Sequence, residues 1–354
     1  MKKTVLLDLR DLDHPTCGFG QIAINYAQHF SHLSLPDLRF MFLVPEGYAK
    51  NYGGDVECVE MRREYKRHTE RLPRVDLWHS VHQQQSVRRV EGSTKFLFTI
   101  HDLNFLTEKN WLRQLKHKVV LQHRINQAAA VTAISGFVGQ QAERHLRLAG
   151  KTFRVIYDAV ENIAQKPQAE PSFFRGRPFF FSIGQIRKKK NFHLLLDVMK
   201  EFPDYDLFIC GDDHFAWADT IRRRLAKEQI NNVFLTGKIS DEARIWLYAH
   251  CRAYLFPSQG EGFGLPAIEA MQFGKPVFVA NATCLPEITG GHAYVWQALD
   301  AKTMCDTLRE GLAHYDANPQ QAETLKQHAS TFSYEHHVEQ YIQLYREILN
   351  LPTP

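Results

Sequence analysis

The densest cluster of groups able to do chemistry is Pro257-Ser258-Gln259-Gly260-Glu261-Gly262-Phe263-Gly264-Leu265-Pro266-Ala267-Ile268-Glu269. An apolar run ends at Phe256, a glycine-rich loop follows, and Pro266 marks the first turn of a helix. Glycines let backbone N–H groups approach a ligand closely, and a helix N-terminus favours an anion or a cluster of hydroxyls. Glu261 and Glu269 stand eight residues apart, one in the loop and one in the helix. That pair can grip sugar hydroxyls. A second cluster, Gly184-Gln185-Ile186-Arg187-Lys188-Lys189-Lys190-Asn191, places four consecutive cations at a strand-to-helix turn, a field suited to phosphate. Two weaker signals are the glycine turn Gly18-Phe19-Gly20, with Thr16 and Cys17 before it, and His101-Asp102-Leu103 after an apolar run.

Alternating strands and helices must hold these groups. Strand patterns read at residues 4–9, 38–44, 76–80, 95–100, 130–135 and 153–157, with helical patterns at 21–30 and 111–128. Pro167, Pro171 and Gly176 interrupt the periodicity over 162–177, which reads as a linker. The alternation restarts with strands at 178–184, 206–212, 232–237, 253–258 and 276–281, and helices at 191–202, 216–229, 241–250 and 265–273. Near-continuous apolar strands separated by helices predict parallel sheets covered on both faces. In such sheets ligands sit beyond the carboxyl ends of the strands, where all four clusters fall. The expected division is an N-terminal domain over 1–165, a linker at 166–177 and a C-terminal domain over 178–333. A last helix at about 334–354 is expected to pack back on the first domain.

The loop around Glu261 and Glu269 resembles the E-x7-E signature of family 4 retaining glycosyltransferases, a mannosyltransferase-like group. The resemblance implies an α/β fold of the GT-B type: two Rossmann-like doubly wound domains facing each other across a cleft, acceptor side first and donor side second. It implies that Glu261 lies by the transferred sugar and Glu269 holds the ribose. Phe263, Gly264 and Leu265 would present backbone amides to the sugar and diphosphate. The Gly184–Asn191 run is similar to a family element whose lysine neutralises the diphosphate; here that is Lys190. Many members carry arginine directly after the glycine, where this chain has Gln185, so Arg187 is expected to supply the second charge. Gly18, Phe19 and Gly20 resemble the loop near diphosphate and acceptor, and His101 the histidine under the donor sugar. Gly211-Asp212 resembles a loop near the base. Ala133-Ile134-Ser135 and Val155-Ile156-Tyr157-Asp158 resemble two further elements, the latter divergent from the usual V-I-P-N-G-V.

The reaction implied is retaining hexosyl transfer from a nucleoside diphosphate sugar, with GDP-mannose favoured over UDP-hexoses. The acceptor would be an oligosaccharide or a lipid-linked glycan. A 2-epimerase of the same fold, a pyridoxal phosphate-dependent phosphorylase and an inactive nucleotide-sugar-binding scaffold are the competing readings. No cofactor and no metal are expected. Asp11-Leu12-Asp13 and Asp204-Tyr205-Asp206 are D-x-D triplets of the metal-binding kind, but the second precedes its strand, the wrong end for a ligand.

Bulk properties bound these expectations. The 354 residues suit two domains, and hydrophobic and charged fractions of 44% and 23% are ordinary for globular chains. The six cysteines are scattered without metal-ligand spacing, as in reduced cytosolic proteins. The N-terminal apolar run is too short for a signal peptide, and no stretch approaches the ~18 residues needed to span a bilayer. The expected location is therefore the cytoplasm. The net charge of +4 divides unevenly: residues 1–165 hold 23 Lys+Arg against 17 Asp+Glu, and the rest 20 against 22. A whole-chain charge of only +4 does not read as nucleic-acid binding. The basic first half, through the run 61–74 and Arg113, Lys116, Lys118 and Arg124 of the 111–128 helix, predicts peripheral contact with an anionic membrane.

Overall fold

A computed structural model describes residues 2–14, 18–52, 56–66, 68, 71–83, 92–148 and 150–352. The chain divides into two compact units, Met1–Ala159 with Tyr334–Pro354, and Val160–Ser333.

The first unit holds a seven-stranded sheet. Its strands are β1 (Lys3–Asp8), β2 (Leu38–Val44), β3 (Glu57–Glu60), β4 (Leu77–Ser80), β5 (Lys95–Ile100), β6 (Ala130–Ala133) and β7 (Thr152–Val155). They pair in the order β3-β2-β1-β4-β5-β6-β7, every neighbour parallel. The second unit repeats the plan with β8 (Phe179–Ile183), β9 (Asp206–Cys210), β10 (Val233–Gly237), β11 (Ala253–Phe256), β12 (Val277–Ala280) and β13 (Tyr294–Trp296). Their order is β10-β9-β8-β11-β12-β13, again parallel throughout. Both follow the doubly wound order in which the chain reverses direction beside its first strand. The reversal lies between β1 and β4 in one unit and between β8 and β11 in the other. Burial of both faces explains the unbroken apolar runs such as Phe179-Phe180-Phe181.

The C-terminal helix Tyr334–Leu349 belongs to the first unit through a buried polar network. The Tyr345 hydroxyl lies 2.7 Å from His79 Nδ1, and His79 Nε2 lies 2.8 Å from Thr99 Oγ1. Thr99 meets Thr132 at 2.8 Å, and Thr132 meets the Tyr341 hydroxyl at 3.2 Å. His337 Nδ1 donates to the Tyr157 carbonyl, so its Nε2 accepts from the Tyr26 hydroxyl at 2.7 Å. Arg346 forms a two-pronged ion pair with Asp37.

Two expectations change. The segment expected to be a linker at 166–177 packs within the second unit. Phe174 meets Phe179 and Trp246, Phe173 meets Phe208, and Ala169 N–H bonds the Glu242 carbonyl. Two phenylalanines outweigh the prolines around them. The first helix begins at Gly18 rather than 21, so Gly18, Phe19 and Gly20 form its opening turn. Thr16 and Cys17 lie outside the described residues. The five described cysteines are free thiols.

Candidate active site

In the second unit, the loops following β8 and β11 flank the reversal point and are tied together. Gln259 N–H donates to the Lys189 carbonyl at 2.9 Å, and the Asn191 amide donates to the Pro257 carbonyl at 3.1 Å. Asn191 holds a left-handed backbone (φ 54°) between the turn Lys188–Lys190 and the helix Phe192–Lys200. This lacing brings Lys190 Nζ to 2.5 Å from Glu261 Oε1, each side chain 13% exposed. The ammonium also sits 5.0 Å from the Phe256 ring centre. Ser258 Oγ donates to the same carboxylate oxygen. Arg187 lies over the Phe215 ring at 4.3 Å.

Two glycines permit the close approach. Gly211, at the end of β9, has φ +124°, and a Cβ there would lie 2.2 Å from the Gly184 carbonyl oxygen. Gly264 has φ +96° and precedes the helix Leu265–Gln272, with no side chain capping it. The helix N-terminus behind Phe263, Gly264 and Leu265 therefore carries the partial positive charge that attracts anions. Cys284 Sγ braces the loop from beneath through the Phe263 carbonyl at 3.0 Å.

Glu269 is held from the neighbouring helix Asp241–His250. Arg244 Nη1 lies 2.5 Å from its Oε1, and the Tyr248 hydroxyl donates to Oε2 at 2.8 Å. The carboxylate's charge is the main cause holding the Arg244 guanidinium above its ordinary pKa. Burial, followed by the charges of Glu269 and Glu261, raises the Tyr254 hydroxyl, so both carboxylates act on one tyrosine. Arg244 and Tyr248 went unnoticed in the sequence. They lie one helical turn apart on one face, and only the fold brings that face to Glu269.

In the first unit, the loops after β1, β4, β5 and β7 supply the groups. His101 is buried, with Nε2 donating to the Val81 carbonyl at 2.7 Å. Burial pulls the imidazole down to about 3, so it is neutral near pH 7. Its Nδ1 faces Asp158 Oδ2 at 3.7 Å, beyond hydrogen-bond reach. Burial pushes the Asp158 carboxyl up to about 7. Phe19 stacks on His82 at 4.2 Å and meets His101 edge-on at 5.3 Å. His82 Nε2 pairs with Asp11 Oδ2 at 2.5 Å. His82 was not singled out beforehand, although it follows β4 at its carboxyl end beside the reversal point.

The D-x-D residues have other partners: Asp11 holds His82, and Asp206 pairs with Arg177 at 2.9 Å. Among the described residues, Asp212, Asp213 and His214 form a group close enough to share an ion. Lys238 lies 3.3 Å from Asp212, and Arg222 pairs with Asp213, so cations already oppose those carboxylates.

Two sheets of Rossmann order, each with polar groups at the carboxyl ends beside the reversal, are the plan of the GT-B class of glycosyltransferase folds, which the solved structures similar to this chain share. Residues 164–340, half of the chain, match the family described as glycosyl transferases group 1, and the chain belongs to that family. It is 35% identical over 148 residues to the serotype-specific mannosyltransferase WbdA of Escherichia coli, covering 40% of this chain and 18% of that protein. The chain thus spans about a fifth of the length of that relative. It is 26% identical over 205 residues to the O-antigen chain mannosyltransferase RfbU of Salmonella typhimurium, covering 56% and 55%. Among solved structures, sucrose-phosphate synthase from Thermosynechococcus elongatus is similar in fold, with a TM-score of 0.76 at 16% identity, covering 99% of this chain and all of that one. Anabaena HepE, in complex with UDP and glucose, gives 0.74 at 16% identity, covering 98% and 100%.

Proposed function

We propose that the protein transfers a hexose, mannose first among candidates, from a nucleoside diphosphate sugar to a glycan or lipid-linked acceptor in surface polysaccharide synthesis. The observation that carries this is the lacing of the β8 and β11 loops. It puts Lys190, Glu261 and an uncapped helix N-terminus in one place, the combination a sugar diphosphate needs.

In this reading Lys190 and Arg187 take the charge that develops on the departing diphosphate. Lys190 leaves Glu261 for the phosphate, and Glu261 is then available to a hydroxyl of the transferred sugar. Glu269 receives the ribose, with Arg244 and Tyr248 fixing its carboxylate. Gly211 lets the loop near the base lie directly against the Gly184 carbonyl. His101, neutral and locked by Val81, contributes a fixed dipole to the sugar rather than a proton. The acceptor hydroxyl attacks the face the diphosphate leaves and gives its proton to the departing phosphate oxygen, so configuration is retained without a metal or other cofactor. WbdA and RfbU are named mannosyltransferases, which supports mannose as the sugar transferred.

The test is product analysis with GDP-mannose and UDP-hexoses, with and without oligosaccharide acceptor. The expected product is a glycoside with the donor's anomeric configuration, formed equally in EDTA. An inverted product, or loss in EDTA with rescue by manganese, overturns the mechanism. Conversion of the donor sugar without acceptor would mark an epimerase instead.

A further inference from the structure

The helix Trp111–Gln127 of the first unit carries large apolar side chains that stay exposed. Among the described residues seven large hydrophobic side chains are exposed, and five belong to this helix: Trp111 (70%), Leu112 (58%), Leu115 (54%), Val119 (60%) and Val120. Core packing begins only at Leu121 and Ile125, in its second half.

The exposed residues form a stripe. At 100° per residue, Trp111, Leu115, Val119 and Leu112 fall in one arc of about 100°. The buried pair Leu121 and Ile125 points about 110° away from the centre of that arc. Lys118 flanks the stripe on one side and Lys116 on the other, with Arg113 beyond, and all three are exposed. From Lys109 to Ala142 the chain has no aspartate or glutamate. Arg124 is not part of this face: it bonds the Gln83 carbonyl and lies over the Phe98 ring. The second basic segment expected at a membrane, residues 61–74, makes a poorer candidate. Its Arg71 is paired with Glu64, and Arg67, Thr69 and Glu70 lie outside the described residues.

We infer that the Trp111–Gln127 helix is a docking surface for an anionic lipid bilayer, lying in the plane of the headgroups with Trp111, Leu112, Leu115 and Val119 inserted. Charge complementarity selects this occupant. A stripe flanked by lysines and free of acids suits anionic headgroups, and lysine stems lie along the apolar surface while their ammonium groups reach the phosphates. Tryptophan at the end of the stripe is the residue that favours the bilayer interface. No helix among the described residues is long and apolar enough to cross a membrane; the inferred contact is shallow insertion at the interface. The inference does not depend on the donor sugar. Only its use, meeting a lipid-linked acceptor, rests on the proposed transferase reading.

The test is flotation of the full chain with vesicles of phosphatidylglycerol and phosphatidylethanolamine, against vesicles of phosphatidylcholine. The protein is expected to float with the anionic vesicles at low salt and to be released at high salt. Lys116→Ala and Lys118→Ala should each lower partition about five-fold. Leu115→Asp should lower it at least about ten-fold. These side chains are exposed, so the variants should melt like the wild type, and nucleoside diphosphate binding reports separately on the second unit. Failure to float on anionic vesicles, flotation indifferent to Leu115→Asp, or a concentration-dependent dimer abolished by Leu115→Asp would each overturn the inference. Flotation without nucleotide binding would leave it standing and sink the transferase reading.

Discussion

Asp158→Asn gives a signed test of the buried histidine–aspartate arrangement in the first unit. The Asp158 carboxyl is buried beside His101 Nδ1, and burial raises it from 3.8 to about 7. That shift of roughly three units is worth at most about 4 kcal/mol. A raised folded-state value means the stabilising form is the protonated one. Its contribution is complete below about pH 4 and is lost as pH climbs through 7. Asparagine keeps the shape and never ionises. The variant should therefore gain on the wild type with rising pH, the gap widening by about 3 kcal/mol between pH 5 and pH 8. Urea denaturation of both proteins at pH 5, 6, 7 and 8 measures that gap. A gap that does not change with pH would mean that Asp158 ionises alike in the folded and unfolded chains. A gap that moves the other way, the variant losing on the wild type as pH rises, would mean that the fold favours the carboxylate. Either result contradicts a carboxyl raised by burial.

Two further predictions concern the second unit. Glu269→Ala should raise the donor KM about ten-fold or more, since a charge-assisted contact present in ground and transition states is lost, and Arg244→Ala should act in the same direction. Glu261→Ala should instead lower kcat; equal, small effects from both glutamates in steady-state kinetics would sink the division of roles. Gly211→Ala drives a Cβ into the Gly184 carbonyl at a left-handed φ, so it should lower the melting temperature by at least about 2 °C and weaken nucleoside diphosphate binding. A calorimetric melting curve that does not move would show that the β8 and β9 loops separate without cost.

Much of this arrangement was legible in the sequence because buried parallel strands are written as unbroken apolar runs. Leu38–Val44 and Lys95–Ile100 match their expected bounds residue for residue. The missed strands are edges. Glu57-Cys58-Val59-Glu60 closes one side of the first sheet and carries charges at both ends, and Tyr294-Val295-Trp296 closes the second sheet with three residues. The helix Gly136–His145 opens Gly-Phe-Val-Gly, a weak helical start, and is set instead by the Ser135 side chain capping Val138 N–H. The residues singled out in advance lie where loop and glycine pattern announce a ligand, and the fold brings two of them, Lys190 and Glu261, together. Arg244, Tyr248 and His82 were not singled out, because each is ordinary in its own segment. Their relation to Glu269, Phe19 and Asp11 exists only after the sheets have formed.

A sugar diphosphate site built on Lys190 and Glu261 stands or falls with isothermal titration of Lys190→Ala. Removing the ammonium leaves Glu261 with its Ser258 contact, so the loop keeps one of its ties. The wild type should bind GDP, and Lys190→Ala should bind it at least about ten-fold more weakly, as expected for one charge-assisted contact. Guanosine, which lacks the phosphates, should bind both proteins alike. No binding of any nucleoside diphosphate to the wild type, or an equal loss for GDP and guanosine, would contradict the account.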